Sequence, residues 1–317
     1  MTTSEAATLL VGLDHIYILT HERPDGDTLG SASALCVGLR ALGKSAFVLT
    51  NPEVTPRYMR FVAPYHADLP PDGAVLVAVD IAAADRLPRC HRELAHRVLL
   101  SIDHHPTGEC FGAEQCIQTG SASTGEIIFE LLQLLSVPLT QDIALPLYLA
   151  VSTDTGCFSY SNTTSQTHRV AAALLDTGID YAAVNREIFG TKSFKRIQIE
   201  ALMVESMEFY MGRTIALCPL TRDMLEKTGA SEDDIDNIAA LPRKIEGVDI
   251  GVVIKEQLGG TCKISLRASR KYEANRICAQ MGGGGHARAA GCEIQGPLLQ
   301  ARQAVLEAIK NIYNFEV

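Results

Sequence analysis

Short runs of β-branched and apolar residues recur through the first hundred positions, at 15–20, 46–50, 74–79 and 98–102, and the stretches between them can be helical. That alternation predicts an α/β fold, a mostly parallel sheet with helices on both faces. Thr28 to Leu42 reads as the first helix, with Leu29, Leu35, Leu39 and Leu42 on an apolar side and Gly43 as its stop. Thr124–Leu135, Asp142–Val151 with Pro146 inside it, and Gln166–Asp176 before Gly178 read as further helices. From Ser193 to Met207 charged and apolar residues mix at helical spacing. We therefore expect a domain over 1–188, a helical linker over 189–212 and a smaller α/β domain over 213–317. In the last, 214–218, 248–255 and 261–267 are expected strands, and Glu232–Ala240, Tyr272–Gln280 and 298–313 expected helices.

Charge narrows the partners. The 317 residues carry 28 basic and 37 acidic side chains, a net charge of −9, the wrong sign for gripping long nucleic acid through counterion release. A nucleic-acid substrate should be short. The nine cysteines lie singly, without a Cys-x-x-Cys pair, which fits reduced thiols in the cytoplasm. No secretory pattern opens the chain, and no apolar run reaches the roughly 18 residues of a membrane span.

The polar residues that follow the apolar runs carry the chemistry. They are His21, Asp25 and Asp27 in His-Glu-Arg-Pro-Asp-Gly-Asp, then Asp80, Asp103-His104-His105, and Asp154. Pro24 and Gly26 break regular structure just past a strand, at the sheet edge where parallel sheets bind ligands. Each segment alone also reads as a solvated turn or a helix cap. Together, four of these aspartates and the three histidines, from separate segments, would crowd like charges unless cations lay between them. Imidazole and carboxylate donors without thiolate favour Mn²⁺ or a similar ion over Zn²⁺, and the histidines disfavour Mg²⁺. Six ligands exceed what one catalytic ion with open positions can use, so two ions are expected.

At these residues the chain resembles the DHH phosphoesterase superfamily, through Asp103-His104-His105, the His21–Ser31 segment, Val79-Asp80 with Arg86, and Thr153–Phe158. Arg267 and Gly283-Gly284-Gly285-His286-Ala-Arg-Ala-Ala-Gly291 resemble its associated C-terminal substrate-binding domain. The layout is most similar to the nanoRNases that are also 3′-phosphoadenosine-5′-phosphate (pAp) phosphatases. The resemblance implies that His21 and Asp25 hold one Mn²⁺, that Asp27, His104 and Asp154 hold the other, and that Asp80 bridges both. It implies that His105 contacts the scissile phosphate and helps the leaving group depart, while Asp103 orients a histidine. Gly108 and Ala268 depart from the family pattern near the expected substrate, and a homodimer is left open.

Two ions about 3.5–4 Å apart can lower the pKa of a shared water to near neutrality and neutralise phosphoryl charge. Asp80→Ala is accordingly expected to fold without turnover. The Gly282–Gly285 run with His286, Arg288 and Arg267 reads as a phosphate-binding element, with Gly284 and Gly285 offering backbone N–H groups and the substrate clamped between domains. The expected activity is hydrolysis of short oligoribonucleotides to 5′-mononucleotides and of pAp to AMP and phosphate. Cyclic-di-AMP or pApA hydrolysis, a family II pyrophosphatase, a RecJ-type exonuclease and a non-catalytic nucleotide-binding regulator are the competing readings. Phe158 and Tyr160 read as base-stacking or core residues, and His15, His66, His91, His96 and His168 as surface or structural histidines.

Overall fold

A computed structural model describes residues 1–106, 111–235 and 237–313. The chain divides into two compact units, Met1–Thr191 and Lys192–Val317. The first contains α1 (Thr3–Val11), β1 (Ile16–Leu19), α2 (Gly26–Ala41), β2 (Ala46–Leu49), α3 (Pro56–Val62), β3 (His66–Ala67), β4 (Val75–Val79), β5 (Val98–Asp103), β6 (Glu114–Ile117), α4 (Thr124–Leu134), α5 (Gln141–Asp154), α6 (Ser165–Leu175) and α7 (Tyr181–Asn185). Its six strands are all parallel, in the order β3-β2-β1-β4-β5-β6.

Burial on both faces explains why these strands read as uninterrupted apolar runs. Ile16, Ile18, Val77, Val79, Leu100 and Ile102 face the core shared with α1 to α5. Tyr17, Leu19, Leu76, Ala78 and Val98 face the other side, covered by Ile81, Leu87 and the helical turns of Arg89–Arg97. Helix α2 is buried along most of its length, and its small residues let it lie close to α5. A side chain at Gly30 would come within 2.3 Å of the Pro146 carbonyl oxygen.

The second unit contains α8 (Phe194–Glu205), β7 (Glu208–Tyr210), β8 (Ile215–Leu220), α9 (Arg222–Thr228), β9 (Ile250–Glu256), β10 (Thr261–Ala268), α10 (Ala274–Ala279), β11 (Gly284–Gly285), β12 (Ala289–Gln295) and α11 (Leu298–Tyr313). Its strands form a mixed sheet, β11-β12-β10-β9-β8-β7. One face packs on α10 and α11, the other on Ile199 and Met203 of α8. The helix expected over Glu232–Ala240 does not form among the described residues. Two 3₁₀ turns, Asp233–Ile235 and Ile238–Ala240, stand there instead, with Asn237 at φ +51°, a left-handed backbone that an α-helix cannot contain.

Candidate active site

The sheet order reverses direction between β1 and β4, and the polar segments emerge from the C-terminal ends of β1, β4 and β5 around this point. Asn51, just after β2, holds the first segment by donating to the His21 carbonyl at 2.9 Å and to the Thr20 hydroxyl at 3.1 Å. The chain then turns through Pro24 into α2. Asp25 caps that helix, accepting from the N–H groups of Asp27 and Thr28 at 3.0 and 3.3 Å. The cap reading and the ligand reading of Asp25 therefore coexist, since the same carboxylate lies 3.6 Å from His21 Nε2.

Among the described residues three clusters of donor atoms form, each with its members within 4.8 Å: His21 with Asp25 and Asp80; Asp27 with His104 and Asp154; and Asp80 with Asp103, His104 and His105. Asp80 links the sides, with Oδ2 3.7 Å from His21 Nε2 and Oδ1 3.7 Å from His104 Nε2. His104 Nε2 also lies 3.6 Å from Asp154 and 3.9 Å from Asp27. His21 Nδ1 meets the Glu22 carbonyl at 2.7 Å, and His104 Nδ1 meets the Ser121 carbonyl at 3.2 Å. A carbonyl can only accept, so the proton sits on Nδ1 and Nε2 faces the carboxylates, the tautomer a metal-ligating histidine needs.

Electrostatics favour a cationic occupant. Burial, then repulsion from the other carboxylates, pushes Asp27 and Asp80 well above the usual carboxylate range. Burial and Asp25 raise Asp154 to about 7. Burial and His105 depress His104 to about 4, leaving its imidazole neutral at physiological pH. Asp25 moves the other way, to about 2: burial opposes ionisation, but the contact with His21 outweighs it. Carboxyls held protonated by burial and by one another, facing the neutral imidazole of His104, are a donor set suited to divalent cations.

His105 packs edge-on against His104 but is bonded differently, to a carboxylate rather than a carbonyl. Its Nδ1 lies 2.7 Å from Asp103 Oδ1, which also accepts from the backbone N–H of His104 at 2.8 Å. Burial lowers the His105 pKa, but the Asp103 bond and charge outweigh it and raise it overall. Asp103 thus steers the DHH turn through one carboxylate oxygen.

One segment of the site was missed in the sequence. Ser121 to Gly125, entering α4, touches several of its groups. Thr124 and Gly125 donate backbone N–H bonds of 2.8 and 2.9 Å to the two oxygens of Asp27, and the Thr124 hydroxyl donates to Asp80 Oδ1 at 2.9 Å. Asn162 ties Ala122 to Asp154, donating to the two carbonyls at 2.9 and 3.1 Å. The Ser-Thr-x-Glu start of a helix was the available signal, but it reads as ordinary capping.

In the second unit Arg267 lies at the end of β10 and His286 in the hairpin between β11 and β12. The Gly282–Gly285 run is not an open loop. Gly282 and Gly283 donate their N–H groups to Ala279 and Cys278 of α10, His286 donates to Ala289, and Gly284 and Gly285 pair with β12. The N–H groups of Gly282 and Gly283 are therefore committed to the fold. Gly283 is required by packing, since a side chain there would lie 2.4 Å from Cys292 Cβ. Ala268 is buried in the core beneath α10, on the opposite face of β10 from Arg267. Gly108 lies outside the described residues. Phe158 stacks on His168 and packs beside Tyr148, while Tyr160 is exposed. His91 is structural, buried with Nε2 2.8 Å from the Thr50 carbonyl. No helix among the described residues is long and apolar enough to cross a membrane.

A parallel sheet that gathers histidines and aspartates at its switch point, followed by a mixed-sheet unit, is the architecture of a two-domain phosphoesterase. Residues 15–151 match the DHH family N-terminal domain and residues 215–314 the DHHA1 domain. The chain is 35% identical over 303 residues to the bifunctional oligoribonuclease and PAP phosphatase NrnA of Thermus thermophilus, spanning 93% of this chain and 89% of that protein. It is 29% identical over 304 residues to the probable bifunctional oligoribonuclease and PAP phosphatase NrnA of Streptococcus mutans, spanning 94% and 95% of the two. An exopolyphosphatase-related protein from Bacteroides fragilis has a similar solved structure, with a TM-score of 0.86 at 25% identity over 98% of this chain and 96% of that one. The chain belongs to the DHH family.

Proposed function

We propose that this protein is a Mn²⁺-dependent phosphoesterase that hydrolyses short oligoribonucleotides to 5′-mononucleotides and pAp to AMP and phosphate. The observation that carries the reading is the pair of donor clusters, His21–Asp25–Asp80 and Asp27–His104–Asp154, which meet where Asp80 Oδ1 lies 3.7 Å from His104 Nε2. His21 and Asp25 would hold one ion, Asp27, His104 and Asp154 the second, and Asp80 would bridge them. The names of the Thermus and Streptococcus relatives support the substrate class.

Bound ions would acidify an attacking water and neutralise charge on the phosphoryl oxygens. The protein's own groups account for the rest. With Nδ1 engaged by Asp103, His105 presents Nε2 as the atom that contacts the scissile phosphate and delivers a proton to the departing oxygen. Water adds at phosphorus, the bond to the 3′-oxygen breaks, and that oxygen leaves with the proton. The rule covers pAp and an oligonucleotide alike, because each carries phosphate on a 3′-oxygen and each reaction leaves a 5′-monophosphate. Arg267 and His286, with the exposed Gly284 and Gly285, would bind the substrate's other phosphate, and Arg267 offers the planar fork suited to it.

The test is product analysis with Mn²⁺ present, using pAp, pApA, a five-nucleotide RNA, cyclic-di-AMP and pyrophosphate as separate substrates. AMP or mononucleotides from the first three, with pyrophosphate intact, is the expected result. Turnover of pyrophosphate alone, or of nothing despite bound metal, would overturn the reading.

A further inference from the structure

We infer that Thr124 is a positioning residue for Asp80, whose hydroxyl fixes how that carboxylate is shared between the two donor clusters. The inference rests on the two-cluster reading of the site, and its observations are local. Asp80 follows β4 at φ +61°, a left-handed backbone uncommon for residues other than glycine, though aspartate adopts it more readily than most. Its N–H donates to the Ile102 carbonyl at 2.9 Å, which anchors the main chain but leaves rotation of the carboxylate undetermined. The histidines do not determine it either, because His21, His104 and His105 all stand 3.7 Å away, beyond hydrogen-bond reach. The Thr124 hydroxyl does reach, at 2.9 Å, and it selects Oδ1.

That selection has a consequence on each side. Bonded to Thr124, Oδ1 is turned toward His104 and His105, and Oδ2 is left toward His21 and Asp25. Thr124 is fully buried, so no water competes for its hydroxyl. Its backbone N–H bonds Asp27 independently of the side chain. The main chain of residue 124 thus secures one proposed ligand and the side chain another, and substitution separates the two roles. Thr124→Val keeps the shape and the Asp27 bond and removes the hydroxyl, whereas Thr124→Ser keeps the hydroxyl and removes a methyl.

The experiment measures Mn²⁺ affinity and stoichiometry by calorimetry, and the kinetic constants for pAp, in the wild-type protein and both variants. Losses of outer hydrogen-bond partners in metal sites cost about 10- to 100-fold, so Thr124→Val should weaken Mn²⁺ binding and lower kcat by that order with KM little changed. Thr124→Ser should stay within about threefold of wild type on the same scale. Wild-type metal affinity in Thr124→Val would overturn the assignment. So would Thr124→Ser impaired as badly as Thr124→Val, which would make packing the cause. The affinity arm needs no turnover, so it decides the role of Thr124 even if pAp proves not to be a substrate.

Discussion

His104 Nδ1 lies 3.2 Å from the carbonyl oxygen of Ser121, 17 residues further along the chain. That contact aims Nε2 at Asp27, Asp80 and Asp154 at once. A backbone carbonyl from the entry of α4 therefore sets the tautomer of the histidine that gives the DHH turn its place at the site. The remaining behaviour of the site follows from how tightly its charges are packed.

Asp80→Asn should separate stability from activity. Asparagine removes the cost of keeping a buried carboxyl protonated among other carboxyls, and it tolerates the left-handed backbone at φ +61°. In chelator the variant should melt about 2–4 °C above wild type, the shift that goes with roughly 1 kcal/mol in a domain of this size. Its turnover with Mn²⁺ should fall on the order of 10³-fold, since the ions' charge stabilisation is worth several kcal/mol. Calorimetric melting and a pAp assay on one preparation check both; substantial activity would remove Asp80 from its bridging role.

The metal-free protein should lose stability as pH rises above about 6.5. His21 and His105 have raised folded pKa values, so their stabilisation is full below about 6.5 and decays as pH climbs through the folded values. Asp154, raised to about 7, and Asp27 and Asp80, raised well above the usual carboxylate range, favour the protonated fold, a contribution that is full below about 4 and fades as pH climbs from there through the folded values. The depressed Asp25 and Asp103 contribute fully above their unfolded range and add no slope here. Scanning calorimetry in EDTA should show Tm falling between pH about 6.5 and about 8, with Mn²⁺ flattening or reversing the trend. A rising Tm in EDTA would contradict this charge balance.

Gly30→Ala tests the frame beneath the site. The added methyl would sit 2.3 Å from the Pro146 carbonyl and 3.0 Å from the Ala150 nitrogen, pushing α2 from α5. Overpacking of this kind costs about 1–3 kcal/mol. Because α2 carries Asp27 and α5 ends in Asp154, metal affinity should fall with stability. Urea unfolding and Mn²⁺ titration measure the two, and an unchanged unfolding midpoint would mean the helices can part at no cost.

Arg267→Ala and His286→Ala should each raise KM for pAp about 10- to 100-fold, the range for one hydrogen bond between charged groups, with a smaller change in kcat. Steady-state kinetics decide the matter, and an unaltered KM in both variants would remove the second unit from phosphate recognition.

Sequence alone determined the parallel sheet, because strands buried on both faces must be apolar throughout and their spacing leaves room for crossover helices. It also placed His21, Asp25, Asp27, Asp80, His104, His105 and Asp154 at element ends, where Pro24, Gly26 and the ends of apolar runs announce a change of direction. What it could not show were bonds between distant segments: Thr124 to Asp80, Gly125 to Asp27, Asn162 to Ala122. A serine or threonine before a helix looks the same whether it caps that helix or also holds a carboxylate from another strand. The glycine run after α10 was legible only in part for the same reason. A backbone N–H is open to a ligand only if no carbonyl takes it, and the carbonyls of Ala279 and Cys278 take those of Gly282 and Gly283. Local pattern determines which groups a segment offers, whereas tertiary packing decides which of them are already bonded and which charges must share one buried space.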